Sequence, residues 1–321
     1  MKILLTGPTG FIGKAFTRLA QSRGHEIAGL LIPDEAIPTD LTAPIAEVAQ
    51  AFQPAPRPVV WLHGTLEEAP WKEISAFGAE VCVHTAWITT PGVYLESPEN
   101  ERFRDASLSF LSRFRDLGAN HIVGLGTCIE YQITQQPLSE DHTPAVPTTT
   151  YARCKNQLRT ALEADANAHG LVFCWGRVFY PYGPGEHPSR LCSSIIQKLA
   201  RDEKIILKTP DSTKDYIYIS DLAEALLMVV EKKFRGVINL GTGVGITVKQ
   251  IAQTIGQEMG KAHLVEDASD PEPDPFPFVV GQARKLKSLG WRQTVTMEEG
   301  LARLVRARTA PPLRPEGRGA S

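Results

Sequence analysis

The stretch TGPTGFIG, Thr6–Gly13, follows a short apolar run and precedes residues 11–23, whose apolar positions have helical spacing. Gly7, Gly10 and Gly13 are three residues apart. Between a strand and a helix, the first glycine permits a tight turn, the second lets the backbone approach a pyrophosphate, and the third lets helix and strand pack closely. The free N–H groups of the helix would face that anion. The stretch therefore predicts a dinucleotide-binding turn.

Strand-like and helix-like segments alternate from this turn to about residue 180. Short apolar runs predict strands, and apolar residues at helical spacing predict helices. The predicted strands cover residues 2–6, 26–32, 59–62, 81–84, 121–125 and 171–178, and the predicted helices cover 11–23, 100–117 and 151–168. This alternation is typical of a parallel sheet covered by helices on both faces. We therefore predict a doubly wound α/β fold.

The alternation becomes less regular in the second half of the chain, which indicates a smaller second unit. We assign a dinucleotide-binding domain to residues 1–180, completion of its sheet to about 215–245, and a substrate-binding lobe to 181–214 and 246–308. Residues 309–321 contain three prolines and two glycines with little apolar content. For that reason we expect them to form a disordered tail.

The overall composition excludes several classes of protein. The 321 residues are 42% apolar, which is enough for a sizeable core, and the net charge of −2 gives no overall attraction for nucleic acid or anionic membrane. No apolar run approaches the ~18 residues of a membrane span. The five cysteines are scattered, and the eight histidines form no ligand pair. We expect a cytoplasmic protein without a signal peptide, disulfide framework, metal, nucleic-acid partner or membrane span.

A candidate proton-transfer pair lies on the third predicted helix. Tyr151 and Lys155 are four residues apart and therefore on one face. A free tyrosine has a pKa near ~10, and a nearby lysine cation together with a nicotinamide cation would lower it. Such a tyrosine can give a proton to a carbonyl oxygen, or remove one from a hydroxyl group. The spacing also occurs by chance in exposed helical pairs.

The place of Tyr151 and Lys155 in the chain supports their interpretation as a proton-transfer pair. The pair follows the fifth predicted strand, which runs into Gly126 and Thr127. Because open parallel sheets bind ligands beyond the carboxyl ends of their strands, Thr127 is placed to hydrogen-bond the same substrate oxygen. Glu130 should point away from Thr127, so we do not expect a second acid/base there.

These residues together resemble the extended short-chain dehydrogenase/reductase family, which comprises nucleotide-sugar epimerases, dehydratases and reductases with a Rossmann fold. The resemblance covers roughly residues 1–305. The matching residues are Thr6–Gly13, Thr127, Tyr151 and Lys155, with weaker matches at 84–87, 177–185, 214–217 and 239–243.

The resemblance implies a role for each matching residue. Tyr151 would be the acid/base, Lys155 would bind the nicotinamide ribose, and Thr127 would orient the substrate oxygen. The cofactor would also contact Gly7, Thr9, Gly10, Phe11, Ile12, Gly13, Leu66, Thr85 and Ala86, and the substrate would contact Trp87, Thr127, Tyr180 and Lys214.

Several positions depart from the family pattern. Dehydratases carry Asp-Glu directly after the catalytic threonine, and this chain has Cys128 and Ile129, which disfavours dehydration. Tyr180 stands where asparagine is usual, and Lys214 stands where an arginine commonly faces the diphosphate of the substrate. Residues 271–280 lack the arginine expected there. Contacts with the substrate should therefore differ from those of the well-known epimerases.

The choice of dinucleotide is left open by the second predicted strand. An acid near its end would bind the ribose of NAD, whereas an arginine would suit the 2′-phosphate of NADP. The strand ends at Leu30–Pro33, no basic residue follows, and Asp34 comes too late to be placed. We predict NADP or NAD, with a slight preference for NADP.

Residues 126–131, with 91–94 and 97–100, resemble a subgroup of 4-keto-6-deoxysugar nucleotide reductases. We therefore predict NAD(P)H-dependent reduction of a keto group on a nucleotide-diphosphate sugar. One alternative is a nucleotide-sugar epimerase with tightly held NAD, and another is a non-catalytic dinucleotide-binding or redox-sensing protein. The resemblance also implies a homodimer formed through the helices at 100–117 and 151–168.

Overall fold

The computed structural model describes residues 1–38, Leu41 and 58–309. Its strands are β1 Lys2–Thr6, β2 Glu26–Leu31, β3 Val60–His63, β4 Val81–His84, β5 His121–Thr127, β6 Val172–Val178, β7 Tyr180–Tyr182, β8 Ile205–Leu207, β9 Thr213–Tyr218, β10 Gly236–Leu240, β11 Gly245–Thr247, β12 Val265–Asp267 and β13 Phe278–Val279. Beyond Thr309, the tail that we expected to be disordered lies outside the described residues.

Helices connect most of these strands. They are α1 Phe11–Ser22, α2 Trp71–Phe77, α3 Glu99–Asp116, α4 Thr150–His169, α5 Leu191–Ala200, α6 Ile219–Glu231, α7 Val248–Glu258, α8 Arg284–Ser288 and α9 Met297–Thr309. None of the helices in this described part of the chain combines the length and the apolar character that crossing a membrane requires.

Seven parallel strands of the described residues form the main sheet, in the order β10-β6-β5-β4-β1-β2-β3. The order reverses between β1 and β4, whose last residues Thr6 and His84 are paired. In open α/β sheets the crevice beyond such a reversal is where ligands bind. The fold therefore predicts a site beyond Thr6 and His84, where the glycine turn lies.

The central strands are buried on both faces. In β1, Ile3 and Leu5 belong to a core that includes side chains of α1 and α6, whereas Leu4 belongs to a second core with side chains of α3 and α4. All three side chains are fully buried. This explains the continuous apolar run at the N-terminus, because alternation disappears when helices cover both faces of a sheet.

A second, smaller sheet lies in the later part of the chain. Its central strand β9 pairs with β7, β11 and β13. The segment expected to complete the main sheet contributes β10, which pairs with β6, while β9 at its beginning joins the smaller sheet instead. This sheet positions the residues that face the crevice from the opposite side.

Candidate active site

The glycine turn is packed against the beginning of the loop after β4. Gly7 has φ +68°, and a Cβ atom there would lie 2.9 Å from Thr85 Oγ1. A Cβ atom on Gly13 would overlap the carbonyl oxygen of Gly7. Gly10 is exposed and leaves the start of α1 open. These are the properties that a pyrophosphate-binding turn needs, so the turn fits a dinucleotide.

Two cavities flank this turn. The smaller, about 130 Å³, lies at the ends of β1 and β2 and is lined by Leu66 and Ala86 among others. The larger, about 290 Å³, is lined by Ile12 and Thr85. The residues that we expected to contact the cofactor are therefore distributed over the turn and both cavities, except that Phe11 packs against the core. A dinucleotide across the turn would reach both cavities.

The larger cavity also contains the three candidate catalytic side chains, Thr127, Tyr151 and Lys155. Thr127 is the last residue of β5, and the other two lie one turn apart on α4. The helix begins where it does because the Thr149 side chain accepts a hydrogen bond from Ala152 N. The Tyr151 N–H donates to Leu95 O at 2.9 Å, which fixes the start of α4 at the cavity.

Lys155 is a buried residue of the cavity wall. Its Nζ atom donates to Leu125 O at 2.8 Å and lies 3.9 Å from the centroid of the Trp87 ring. Burial lowers the pKa of Lys155 to about 7, and the Glu130 carboxylate opposes that lowering. Lys155 therefore titrates in the neutral range, which is unusual for a lysine.

Tyr151 responds to burial in the opposite sense. Burial raises its pKa, Tyr94 and Glu130 raise it further, and Arg190 opposes the rise. We expected a lysine and a nicotinamide cation to lower this pKa; within the protein alone, burial outweighs the opposing effect of Arg190. The phenol is therefore protonated at neutral pH, as a proton donor requires.

Glu130 lies behind Thr127 and not in the cavity. Its buried carboxylate accepts hydrogen bonds from Thr127 N at 2.8 Å, Trp175 Nε1 at 3.1 Å and Arg177 Nε at 2.8 Å. These donors occupy its oxygens, and the carboxylate does not line the cavity. It fixes the turn that presents Thr127.

The residues that we expected to contact the substrate differ in their positions and in their partners within the protein. Tyr180 lines the larger cavity. Trp87 also lines it, but its ring lies over Lys155 and its Nε1 donates to Asn100 Oδ1 at 2.8 Å. Lys214 is only 7% exposed and forms an ion pair of 2.8 Å with Asp274. Its charge is therefore largely compensated within the protein.

Sequence reasoning did not identify two charged residues at the site. Glu35, four residues after β2, reaches back to accept hydrogen bonds from Thr9 Oγ1 and Ile32 N, and it lines the smaller cavity. Arg190, at the start of α5, lines the larger cavity. An acid soon after the second strand is the sequence feature that could have identified Glu35. We did not identify it, because Glu35 lies four residues beyond the end of β2. No local pattern marks Arg190.

Comparison with known proteins agrees with this geometry. Residues 3–241 match the model of the NAD dependent epimerase/dehydratase family. The chain is 27% identical over 319 residues to a UDP-glucose 4-epimerase of Corynebacterium glutamicum, covering 91% of this chain and 90% of that protein. It is 24% identical over 315 residues to a dTDP-4-dehydro-6-deoxyglucose reductase of Escherichia coli, covering 95% and 96%.

A solved structure shows the same fold. The Thermus thermophilus UDP-glucose 4-epimerase in complex with NAD superposes with a TM-score of 0.77, 24% identity, and coverage of 96% of this chain and 99% of that chain. The chain belongs to the NAD-dependent epimerase/dehydratase family of extended short-chain dehydrogenases/reductases. The predictions of a doubly wound α/β fold and of an NAD(P)-dependent enzyme are confirmed at that level.

Proposed function

We propose that the protein reduces a keto group on a nucleotide-diphosphate sugar. The observation that carries the proposal is the meeting of Thr127, Tyr151 and Lys155 in one cavity beside the glycine turn. A non-catalytic sensor has no need of a buried, protonated phenol at the edge of a dinucleotide site. A dehydratase would need acids where the cavity is lined by Cys128 and Ile129.

In this reaction, each residue of the site would have a separate role. A nicotinamide dinucleotide supplies hydride-transfer chemistry when bound. The Tyr151 hydroxyl donates a proton to the carbonyl oxygen of the sugar, and the Thr127 hydroxyl orients that oxygen. The Lys155 ammonium stabilises the phenolate that results, because an opposite charge nearby favours the ionised form. Gly7, Gly10 and the start of α1 hold the pyrophosphate.

The walls of the larger cavity favour a 6-deoxysugar. Ile129, Val178, Phe179 and Phe276 line it with apolar atoms. A methyl group at C6 would be buried there without loss of hydrogen bonds, whereas a hydroxymethyl group would need a polar partner. The E. coli relative, a reductase of a 4-dehydro-6-deoxyhexose nucleotide, supports the same substrate class.

The position of Glu35 supports NAD as the cofactor. Its carboxylate lies at the end of β2 and on the smaller cavity, where a ribose 2′-hydroxyl can donate a hydrogen bond to it. The 2′-phosphate of NADP would instead meet a negative charge at that point. We therefore propose NAD(H), in place of the slight preference for NADP that we stated from the sequence.

The decisive experiment follows nicotinamide absorbance while the purified protein meets 4-keto-6-deoxysugar nucleotides, with NADH and NADPH in separate reactions. Stoichiometric oxidation of NADH, lost in Tyr151→Phe while the variant still binds NAD, is the expected result. A Tyr151→Phe variant with unchanged turnover would overturn the catalytic assignment. Faster oxidation of NADPH than of NADH would overturn the cofactor assignment.

An epimerase is the second candidate, favoured by the C. glutamicum relative. It would use the same Tyr151 to remove a proton and return it, without net consumption of cofactor. Incubation of the protein with UDP-glucose and a catalytic amount of NAD distinguishes the two candidates. Isomerisation of the sugar without net consumption of NAD would replace the reductase proposal with this one.

Two further parts of the proposal concern the whole protein. We propose a homodimer, since α3 and α4 pack side by side and the family resemblance places a four-helix interface there. We also propose a cytoplasmic location, because the five cysteines are buried as free thiols.

A further inference from the structure

The indole of Trp87 covers the buried ammonium group of Lys155 at the active-site cavity. Trp87 lies three residues beyond the end of β4, and it is buried. The Lys155 Nζ atom lies 3.9 Å from the centroid of the Trp87 ring, whereas it lies 6.0 Å from the centroids of the Tyr151 and Trp175 rings. Of these three aromatic side chains, Trp87 is therefore the one in direct contact with the charge.

The orientation of the indole is fixed by hydrogen bonds and by packing. Trp87 Nε1 donates to Asn100 Oδ1 at 2.8 Å. Asn100 is fully buried at the start of α3, and its Nδ2 atom donates to Tyr94 O at 2.7 Å and to Ser97 O at 2.8 Å. Phe103, one helical turn further along α3, packs against the indole with 5.8 Å between the ring centroids. These contacts hold the ring in one orientation.

The surroundings of Lys155 combine a carbonyl oxygen, the indole face and one charged group. Its Nζ atom donates to Leu125 O at 2.8 Å. The Glu130 carboxylate, which follows β5, favours the charged form of Lys155, but it is itself paired at 2.8 Å with Arg177 of β6. The ammonium therefore depends strongly on the two groups that touch it, the Leu125 carbonyl and the Trp87 ring.

The other titratable groups that face Lys155 are neutral near pH 7. Burial lowers the pKa of His84, at the end of β4, to about 3, and the positive charge of Lys155 lowers it further. Burial also raises the pKa of Tyr151, on the same helix as Lys155. Neither side chain therefore supplies a negative charge that could replace the contact with the indole.

An indole face is well suited to stabilise a buried ammonium. The π electrons of an aromatic ring attract a cation, more strongly for tryptophan than for phenylalanine, and most strongly where water is excluded. Burial lowers the pKa of Lys155 to about 7. Near neutral pH, even a modest loss of this attraction would therefore change the charged fraction of Lys155 substantially.

We propose that Trp87 is a positioning residue that keeps the Lys155 ammonium charged and in place beside Tyr151. The importance of this role for catalysis rests on the keto reduction proposed above, in which a charged Lys155 stabilises the phenolate formed on Tyr151. We expected Trp87 to contact the substrate; its proposed action on Lys155 requires no such contact.

The direct test is an NMR titration of the full-length protein, isotopically labelled at the lysine Cε atoms. The Lys155 signal is identified by its absence from Lys155→Arg. Trp87→Leu is expected to lower the pH midpoint of that signal by about one pH unit, and Trp87→Phe by less, because a phenyl ring keeps part of the attraction. Trp71→Leu is the matched control and should keep the midpoint, since Trp71 packs against Phe110 and Arg113.

The same variants have a kinetic signature when NADH oxidation by a 4-keto-6-deoxysugar nucleotide is followed. In Trp87→Leu the alkaline limb of kcat/KM should move to lower pH by the same amount as the NMR midpoint. It should move part of the way in Trp87→Phe and keep its place in Trp71→Leu. A merely structural role of Trp87 would lower turnover without moving the limb, and that result would overturn the proposal.

The NMR titration needs no substrate, so it separates this proposal from the proposed function. If the unmodified protein oxidises no NADH but the Lys155 midpoint falls in Trp87→Leu, the reductase is overturned and the action of Trp87 on Lys155 stands. If NADH is oxidised and the midpoint stays or rises in Trp87→Leu, the role of Trp87 is overturned instead. Should Trp87→Leu fail to fold, an unchanged midpoint in Trp87→Phe would also overturn it.

Discussion

Tyr151 and Lys155 lie one helical turn apart, yet burial moves their proton equilibria in opposite directions. It raises the pKa of the phenol and lowers that of the ammonium to about 7. In both cases burial disfavours the charged form. Tyr151 is therefore protonated at neutral pH, whereas the charge on Lys155 changes with pH near neutrality. The proposed proton donation to a keto group would use the first property and would be limited by the second.

The first prediction is an alkaline limb in the pH profile of keto reduction. As pH rises through about 7, Lys155 loses its proton and no longer stabilises the phenolate formed on Tyr151. We expect kcat/KM to fall roughly tenfold per pH unit above that point, when NADH oxidation is followed from about pH 6 to about pH 9. A profile that is flat or rises over this range would contradict the assignment.

The second prediction concerns Glu130. Glu130→Gln leaves the buried Arg177 without a counter-charge, and we expect a loss of about 3–5 kcal/mol in the free energy of unfolding. Turnover should also fall, because Thr127 is presented by the turn that Glu130 holds. Urea denaturation gives the first quantity, and NADH oxidation gives the second.

The control for this variant is Glu67→Gln, which breaks an ion pair between Glu67 and Arg102 at the surface. Exposed pairs contribute about 0–1 kcal/mol, so this change should be small. If the two variants lose equal stability, the buried pair has no special role.

Three residues of the candidate site could be predicted from the sequence, and two charged residues could not. Thr127, Tyr151 and Lys155 belong to short local patterns at the end of a strand and on one helix face, so they could be predicted. Glu35 reaches the site from the loop after β2, and Arg190 reaches it from the start of α5. Their positions depend on tertiary packing, which no local spacing encodes.

Among the elements, the long strands and helices were predictable because each has a strong apolar periodicity. The predicted helices at 100–117 and 151–168 agree with α3 and α4 to within one residue at each end. The short strands β7, β11 and β13 were not predicted, because two or three residues carry no periodicity. Those strands exist through pairing with β9, which is distant in sequence.

The beginning of β5 carries a pH-sensitive element of the core. His121 is 1% exposed, its Nε2 atom has no hydrogen-bond partner among the described residues, and burial lowers its pKa to about 4. At the end of β4, burial lowers the pKa of His84 to about 3, and the ring is bonded to Thr6 and Ser107. Both rings are therefore neutral in the folded state near pH 6.

The third prediction concerns the pH dependence of stability that these two buried histidines cause. Between the unfolded pKa of about 6.5 and the lower folded values, the unfolded chain binds more protons, so stability falls as pH falls. Each histidine contributes a slope of up to about 1.4 kcal/mol per pH unit. His121→Leu should therefore stabilise the protein relative to the unmodified chain by about 1–2 kcal/mol more at pH 5 than at pH 7.5.

Urea denaturation at the two pH values measures this difference. The exposed His142 provides the control, because His142→Leu changes a ring that lies on the surface. An identical pH dependence for His121→Leu and the unmodified protein would show that His121 does not contribute to the slope.

The candidate active site lies where the main sheet and the smaller sheet face each other. The main sheet supplies Thr127 and the glycine turn. Tyr180 comes from the smaller sheet, and Arg190 comes from the start of α5. The alternation of strands and helices predicted the residues from the main sheet. The residues around the smaller sheet depend on strand pairing with β9, so the substrate side of the site was the hardest part to predict from the sequence.

The fourth prediction tests the proposed homodimer through the outer face of α4. Gln157, Thr160 and Ala164 are exposed along this face, and their short or uncharged side chains would allow a second pair of helices to approach closely. We expect light scattering to give about twice the chain mass of 35.2 kDa. Ala164→Arg should reduce the mass to that of one chain, because it would bury a charge without a partner.

The matched control is Ala307→Arg, since Ala307 is an exposed alanine on α9, away from the proposed interface. This variant should keep the mass of the dimer, so a change in mass specific to Ala164→Arg locates the interface on α4. A mass of one chain for the unmodified protein would show that the site is complete within a monomer. In that case α4 would present Tyr151 and Lys155 without support from a second chain, and the rigidity of the pair would depend on contacts within this chain, such as those with Thr149, Leu95 and Leu125.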